Sequence, residues 1–260
     1  MPIMATIALF GLYVVFKNVD TDFLNLIFKI NFGILGTTSM AVILEEYVPL
    51  IFPFIKKVEI IDKNFDFGFI KQHIALNTHS LVSALFGGFV SFMYVYTNSW
   101  FYNNILGIFF TVTAIMFIKI TDFKTALGLL WIFLVYDYLM VFKSDMMVTV
   151  ASKFDVPIKL ILVEGKKRSI LGLGDMVFPG FLVALALKFD VDTAIELFNK
   201  SKDKAKKLTL KCSYFYATMI GYVVGIVTTF LAMSLMNLAQ PALIYLIPTC
   251  TFGLLINCFI

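Results

Sequence analysis

Residues 125–142 read TALGLLWIFLVYDYLMVF, an apolar run in which Asp137 is the only charged side chain. Roughly 20 apolar residues are enough for a helix to cross a hydrocarbon core about 30 Å thick. Residues 170–187, ILGLGDMVFPGFLVALAL, repeat this pattern with Asp175 as their single charge. Because a carboxylate inside a membrane is costly and usually functional, the two runs predict a pair of membrane helices that each carry one functional aspartate.

The composition of the whole chain agrees with a membrane protein. Hydrophobic residues make up 60% of the 260 residues and charged residues 15%, whereas soluble domains have about 45–50% and about 25%. This balance excludes a soluble enzyme, a disordered protein and a fibrous protein. With 3 Cys and 2 His, neither a disulfide framework nor a metal site is expected. We expect no cofactor, and without a basic soluble domain we expect no nucleic acid partner.

Six further apolar runs complete an all-α polytopic membrane protein with about eight transmembrane helices in a single domain over residues 1–260. Helices are expected because they satisfy their own backbone groups within the bilayer. The remaining spans are predicted at Pro2–Phe16, Phe23–Leu44, Ile74–Tyr96, Ile105–Ile118, Cys212–Leu235 and Pro241–Ile260. The first is short but lacks a cleavage site, so we interpret it as a retained helix. Residues 47–55, YVPLIFPFI, are too short to span and predict a re-entrant or interfacial segment.

The lysines predict the orientation. Most of them lie in the loops on the side of the membrane that also holds the C-terminus, including the run KSKDKAKKLTLK at residues 200–211. Since cytosolic loops are enriched in Lys and Arg, we expect the C-terminus in the cytosol.

The two aspartates are predicted to lie at matching depth. Asp137 precedes Lys143 by six residues, and Asp175 follows Ser169 by six. At about 1.5 Å per residue, each would lie about 9 Å from its helix end. Both ends border the same loop, so the helices are antiparallel, and packing at about 8–10 Å would bring the carboxylates together. The alternative is that each is a buried aspartate that hydrogen-bonds a neighbouring helix.

Two facing carboxylates in a low-dielectric site share one proton and titrate as a unit. The ionised carboxylate can take a proton from water, which attacks a peptide carbonyl, while the protonated carboxyl donates to the carbonyl oxygen. The chain contains no D-T-G or D-S-G triplet, which excludes an aspartic protease of the soluble type.

Residues around the aspartates suggest supporting roles. Gly172 and Gly174 would allow close backbone approach or pairing with an extended substrate; the alternative is that they serve only helix packing. Tyr136 could donate a hydrogen bond into the site or be an ordinary buried tyrosine. Pro179 should kink its helix. Pro241 could be a simple helix start.

Three short motifs resemble the presenilin and signal peptide peptidase family, and longer stretches beginning near residues 11, 103, 147, 172 and 240 are similar to its signal peptide peptidase branch. The motifs are Tyr136-Asp137, Gly172-Leu173-Gly174-Asp175 and Pro241-Ala242-Leu243. The resemblance implies an intramembrane aspartyl protease of the endoplasmic reticulum that cuts transmembrane segments of type II orientation, including signal-peptide remnants. It implies that both aspartates are catalytic, that P-A-L supports the active site, and that the C-terminus is cytosolic.

The sequence departs from the family pattern in two features, and two functions other than a protease stay open. The family usually has one span more than the eight counted here, and the first span here is similar to the family's second; the chain also shows no retention signal. A proton-coupled transporter or leak channel could use the aspartates as a relay, although such proteins often show duplicated halves, which this sequence lacks. A non-catalytic binder in membrane-protein quality control is the other alternative. The sequence leaves open whether the protein forms homo-oligomers.

Overall fold

The computed structural model describes residues 21–66, 71–119, 122–143, 157, 159–164, 167–200, 210–236 and 241–256. Within these residues it contains eight helices and two separate two-stranded sheets. These residues form two compact units: the first comprises those within 114–154 and 171–260, and the second those within 20–113 and 155–170. The expectation of a single domain over 1–260 stays a prediction.

The second unit contains the N-terminal helices and both hairpins. Its elements are α1 (Thr21–Glu45), α2 (Val48–Ile51), β1 (Glu59–Asp66), β2 (Lys71–Asn77), α3 (Thr78–Thr97), α4 (Trp100–Phe117) up to Thr113, β3 (Lys159–Glu164) and β4 (Lys167–Gly172) up to Ile170. β1 and β2 are antiparallel, with Asn64 opposite His73.

Close helix packing and a pair of asparagines organise the second unit. A Cβ atom at Gly87 of α3 would lie 3.1 Å from the carbonyl oxygen of Thr37 in α1, so a glycine permits this approach. The side chain of Asn104 in α4 forms two hydrogen bonds with the backbone of Ile161 in β3. Its amide nitrogen donates to the Ile161 carbonyl at 2.8 Å, and its amide oxygen accepts from the Ile161 N–H at 2.8 Å. The hairpin β3–β4 is therefore attached to α4.

The first unit contains the helices that carry the two aspartates. They are α5 (Phe123–Lys143), α6 (Leu173–Lys200), α7 (Ser213–Met236) and α8 (Leu243–Ile256). α5, α6 and α8 share one buried cluster, whose members are Ala126, Leu130, Phe181, Leu182, Leu185, Ala186, Leu243, Ile247, Cys250 and Leu254. In water, removing apolar surface from solvent would stabilise such a cluster by about 25 cal/mol per Å². In lipid, the helices are instead held together by close van der Waals packing.

α7 and α8 pack closely against each other at glycine residues. A Cβ at Gly221 would overlap the carbonyl oxygen of Thr249, and one at Gly253 would overlap that of Ala217. One turn beyond Gly221, a Cβ at Gly225 would lie 2.9 Å from the Cα of Leu246. The spacing Gly221-x-x-x-Gly225 is the small-residue pattern that lets membrane helices approach backbone to backbone.

The expected all-α polytopic membrane architecture is confirmed. Each predicted span from Phe23 onward contains a described helix, and the predicted span Pro2–Phe16 lies outside the described residues. Four described helices are long and apolar enough to cross a membrane: α1 from Phe23, α3, α4 and α7 to Leu235. α8 is a shorter apolar helix, and residues 48–51 form only a four-residue helix.

Three spans were predicted with wrong boundaries. The fourth span begins at Trp100 rather than Ile105. Residues 74–77 belong to strand β2, so the third span begins at Thr78. The sixth span begins at Leu173 rather than Ile170, because residues 170–172 are the end of strand β4, and it continues to Lys200. Asp175 is therefore in the first turn of its helix, and the estimate of its depth from six helical residues does not hold.

Candidate active site

Asp137 lies in α5 with its carboxylate turned into the first unit. The residue is 7% exposed, although its neighbours along the helix, Val135 and Tyr138, are 54% and 48% exposed. The carboxylate accepts a hydrogen bond from the backbone N–H of Leu243. Its Oδ2 atom is buried and has no hydrogen-bond partner among the described residues. Since buried polar atoms are almost always paired, this oxygen is available to a water or a substrate.

Asp175 is held by the backbone that starts its own helix. As the third residue of α6, it accepts a hydrogen bond from the N–H of Gly172, the residue before the helix. This is one half of a capping box, in which an acidic side chain satisfies the N-cap N–H. A Cβ at Gly172 would lie only 3.1 Å from the Asp175 Oδ2 atom. The glycine therefore leaves space for the carboxylate as well as donating to it.

The two carboxylates lie within electrostatic range of each other. Beside them, the rings of Phe133 and Phe178 stack with centroids 4.0 Å apart and planes 25° apart. Phe133 precedes Asp137 by four residues and Phe178 follows Asp175 by three, so each ring is about one turn from its aspartate. Because α5 and α6 run in opposite directions, the stacked rings set the register that brings the aspartates to the same level.

The segment Pro241-Ala242-Leu243 forms the start of α8 and is almost fully buried. Ala242 and Leu243 are each 4% exposed, and Pro241 is among the fully buried side chains. The Pro241 carbonyl accepts from the N–H of Ile244 at 3.3 Å, and the Ala242 carbonyl accepts from that of Tyr245 at 3.1 Å. The carbonyl groups of Pro241 and Ala242 thus form hydrogen bonds within α8. The N–H of Leu243 instead donates to the Asp137 carboxylate. The positive end of the α8 dipole favours a negative charge at that place.

The remaining predicted site residues contribute less to this geometry. Tyr136 is half-buried, and its hydroxyl has no hydrogen bond to either aspartate within the described residues. Leu173 is half-buried and Gly174 is exposed, and a Cβ at Gly174 would make only an ordinary 3.7 Å contact with Phe178. The structure thus brings Gly172 and Leu243 to the carboxylates, and it leaves Tyr136 beside the site without a bond to it.

The aromatic residues of the site were not predicted from the sequence. Phe133 and Phe178 were not singled out, although an aromatic residue about one turn from each aspartate was a visible signal. Tyr222 of α7 was also missed: it packs against the shared cluster and lies within electrostatic range of Asp175. Its position within the spacing Gly221-x-x-x-Gly225, a pattern typical of membrane helices in close contact, was the signal that could have identified it.

Asp190 is another buried carboxylate, and it lies in α6 beyond residue 187, the predicted end of that span. It is 5% exposed, and its Oδ2 atom accepts from the N–H of Phe215, in the first turn of α7, at 2.9 Å. Because this carboxylate caps a helix end, Asp190 is a structural residue. The contrast with Asp137, which keeps an unpaired oxygen, separates the two kinds of buried aspartate.

No cluster of three or more His, Cys, Asp or Glu side chains that could hold a metal occurs in the part of the chain that the structure describes. The arrangement is that of a multi-pass helical membrane protein with two adjacent carboxylates, one beside a helix start and one within a helix.

Comparison with known proteins assigns the family. The family model described as signal peptide peptidase matches residues 1–260. The chain belongs to the signal peptide peptidase family. It is 30% identical to human signal peptide peptidase, over 96% of this chain and 66% of that protein. Intramembrane protease 2 of Caenorhabditis elegans is 33% identical over 69% of this chain and 40% of that protein. No solved structure matches.

A probable intramembrane protease of Schizosaccharomyces pombe is 35% identical over 62% of this chain and 53% of that protein. The chain therefore spans about two thirds of the human relative's length and a smaller part of the other two.

Proposed function

We propose that this protein is an intramembrane aspartyl endopeptidase that hydrolyses peptide bonds in transmembrane segments of type II orientation, such as signal-peptide remnants. The observation that carries the proposal is the pair Asp137 and Asp175: two carboxylates within electrostatic range, one of which keeps a buried oxygen without a partner. A purely structural aspartate would use its oxygens as Asp190 does. Membership of the signal peptide peptidase family supports the same activity.

In the proposed mechanism the two carboxyl groups share one proton. The ionised carboxylate accepts a proton from a water molecule, and the water oxygen attacks the peptide carbonyl. The protonated carboxyl donates its proton to the carbonyl oxygen, which gives a tetrahedral diol. The carboxyl that took the proton from water then donates it to the leaving nitrogen, while the other carboxylate takes a proton from a diol hydroxyl. The C–N bond breaks, and the pair again holds one shared proton. The N–H groups of Leu243 and Gly172 hold the carboxylates in orientation throughout.

The start of α6 provides a way to present an extended substrate. A peptide bond inside a helix is hydrogen-bonded and crowded by side chains, so a substrate must unwind near its cut. Strand β4 ends at Gly172, the residue whose N–H donates to Asp175. Among the described strands, β4 pairs only with β3. A substrate segment in extended conformation could therefore pair with the extended backbone at Leu171 and Gly172, next to Asp175.

The location and orientation are parts of the proposal. We place the protein in the membrane of the endoplasmic reticulum with a cytosolic C-terminus, which the distribution of lysines and the family resemblance support. Its partners would be transmembrane peptides within the lipid bilayer, and homo-oligomerisation stays open.

The decisive experiment compares aspartate variants on a type II transmembrane peptide. The protein is purified in detergent, and products are identified by mass. Asp137→Asn and Asp175→Asn keep the size and polarity of each side chain but remove its proton exchange, so each should abolish cleavage while thermal stability is retained. Asp192→Asn, at an exposed position of α6, is the matched control and should cut at the wild-type rate. Cleavage by either site variant would disprove the dyad.

The same variants separate the protease from a proton relay. Reconstituted in liposomes, a transporter or leak channel would show proton flux that both site variants remove, without any peptide product. A non-catalytic binder would retain the peptide uncut in all four proteins. Either result would replace the proposed activity.

A further inference from the structure

An apolar crevice lies on the first unit between the end of α4 and the middle of α6. Its volume is about 250 Å³, and its apolar lining comes from Ile115 and Ile118 on one side and from Phe181, Ala184 and Leu185 on the other. None of these residues belongs to the aspartate site. In a membrane-spanning protein, a crevice with this lining is filled by hydrocarbon rather than water.

Small residues on one face of α6 create the crevice. Gly180, Ala184 and Lys188 are spaced four residues apart, so they lie above one another on the helix. A Cβ at Gly180 would lie 3.0 Å from the Cδ1 atom of Ile115, so α6 and α4 are in contact at this point. One turn further along α6, the side chain of Ala184 is too small to fill the space between the two helices.

Two lysines line the same crevice at its polar end. Lys119 follows the end of α4, and Lys188 follows the apolar part of α6; both are exposed. Neither forms an ion pair within the described residues. The nearest buried carboxylate along the chain, Asp190, is already paired with the N–H of Phe215.

The position of these lysines marks a membrane boundary. After Lys188, α6 continues for another twelve residues that include Asp190, Asp192, Glu196 and Lys200. The change from an apolar to a charged helix places the end of the hydrocarbon region near Lys188. The two ammonium groups are therefore at the level of lipid phosphates, with the apolar crevice beneath them.

We propose that this crevice is a binding site for an anionic phospholipid. The headgroup phosphate and a second negative group would lie between Lys119 and Lys188, and one acyl chain would lie against Ile115, Phe181 and Ala184. Basic pockets between transmembrane helices bind anionic headgroups in this way. A zwitterionic lipid would place its own cation beside two lysines, which lowers its affinity. The site is independent of the proposed protease activity.

Competitive lipid retention tests this proposal. The protein is equilibrated with equal amounts of phosphatidylserine and phosphatidylcholine in mixed micelles, and retained lipids are counted by native mass spectrometry. The wild-type protein should retain phosphatidylserine preferentially. Lys119→Gln and Lys188→Gln should each reduce that preference about five-fold, and together about twenty-five-fold, as expected for lysines that act at a membrane surface.

Matched controls distinguish the site from general electrostatic attraction. Lys124→Gln removes an exposed lysine outside the crevice and should leave the preference unchanged. Ala184→Leu fills the crevice and should reduce retention of both lipids. Glycerophosphoserine, the headgroup without acyl chains, should not displace the bound lipid. Equal retention of the two lipids by the wild-type protein, an unchanged preference in the double variant, or a loss in Lys124→Gln as large as in Lys188→Gln would overturn the proposal.

Discussion

The backbone N–H of Leu243, the first residue of α8, donates a hydrogen bond to the carboxylate of Asp137 in α5. This bond gives Pro241-Ala242-Leu243 a role beyond beginning a helix. A proline at a helix start is common because it lacks the N–H that would otherwise be unpaired. Here the neighbouring N–H of Leu243 is paired with an aspartate of the proposed dyad. The start of α8 thus orients Asp137, and its dipole stabilises negative charge there.

Pro241→Leu should therefore weaken binding of an inhibitor that mimics the tetrahedral intermediate. The new backbone N–H would be buried, which costs about 1–3 kcal/mol unless it finds a partner, and a leucine no longer restricts the backbone before Leu243. We expect at least a ten-fold loss of inhibitor affinity with a parallel loss of cleavage. Affinity and thermal stability are measured on the same purified protein. Lower stability with wild-type affinity would mean that Pro241 only starts a helix.

The stacked pair Phe133–Phe178 should couple helix packing to catalysis. A double-mutant cycle with Phe133→Leu and Phe178→Leu should give a coupling energy of about 0.5–1.5 kcal/mol, which is typical of aromatic pairs, and each variant should lower turnover because the aspartates lose their register. The cycle is read from thermal or denaturant unfolding in detergent, alongside peptide cleavage.

The same two helices provide the control for this prediction. Phe123 of α5 and Phe189 of α6 form an edge-to-face pair with centroids 5.4 Å apart, away from the aspartates along both helices. Phe123→Leu and Phe189→Leu should show coupling in stability but cut the peptide at nearly the wild-type rate. If both pairs change turnover equally, the effect of Phe133 and Phe178 is one of general stability.

Gly221→Leu should separate α7 from α8. Its side chain would meet the backbone of Thr249, which cannot move aside as a flexible side chain can. Overpacking of this kind costs about 1–3 kcal/mol, and the displaced α8 would carry Leu243 away from Asp137. We expect lower thermal stability and loss of inhibitor binding. Gly128→Leu is the control because a Cβ at Gly128 meets nothing within 4 Å; comparable losses in that variant would contradict the packing explanation.

The membrane architecture could be predicted because its signals are local. An apolar run of sufficient length predicts a helix whatever its neighbours are, so each span from Phe23 onward was located. The strand at residues 170–172 could not be predicted in this way. Those residues are apolar like the helix that follows, so hydrophobicity alone does not separate the strand from the helix. Their extended conformation comes from pairing with β3.

The site could be predicted only in part for a similar reason. Asp137 and Asp175 were identifiable because a lone charge in an apolar run is conspicuous, and the order of the spans made their helices antiparallel. Hydrogen bonds that cross between elements, such as that from Leu243 to Asp137, leave no trace in either local sequence. The burial of Asp190 is a further example, because it depends on the hydrogen bond to Phe215 at the start of α7 rather than on the residues next to Asp190 in the sequence.

The two glycines of Gly172-Leu173-Gly174-Asp175 should respond differently to alanine. At Gly172 a methyl group would lie 3.1 Å from the Asp175 Oδ2 atom, whereas at Gly174 it would meet only Phe178 at 3.7 Å. Contacts near 3.1 Å force one partner to move, and the carboxylate is the partner that can. Because misplacing a catalytic group by 1 Å can cost about 10²-fold in rate, a shift of a few tenths of an ångström in Gly172→Ala should lower turnover about ten-fold. Gly174→Ala should cut normally and be slightly more stable, since alanine favours a helix. Turnover and thermal stability of both variants are compared on one peptide. Equal losses at both positions would show that the glycines serve the approach of the substrate backbone rather than the space around Asp175.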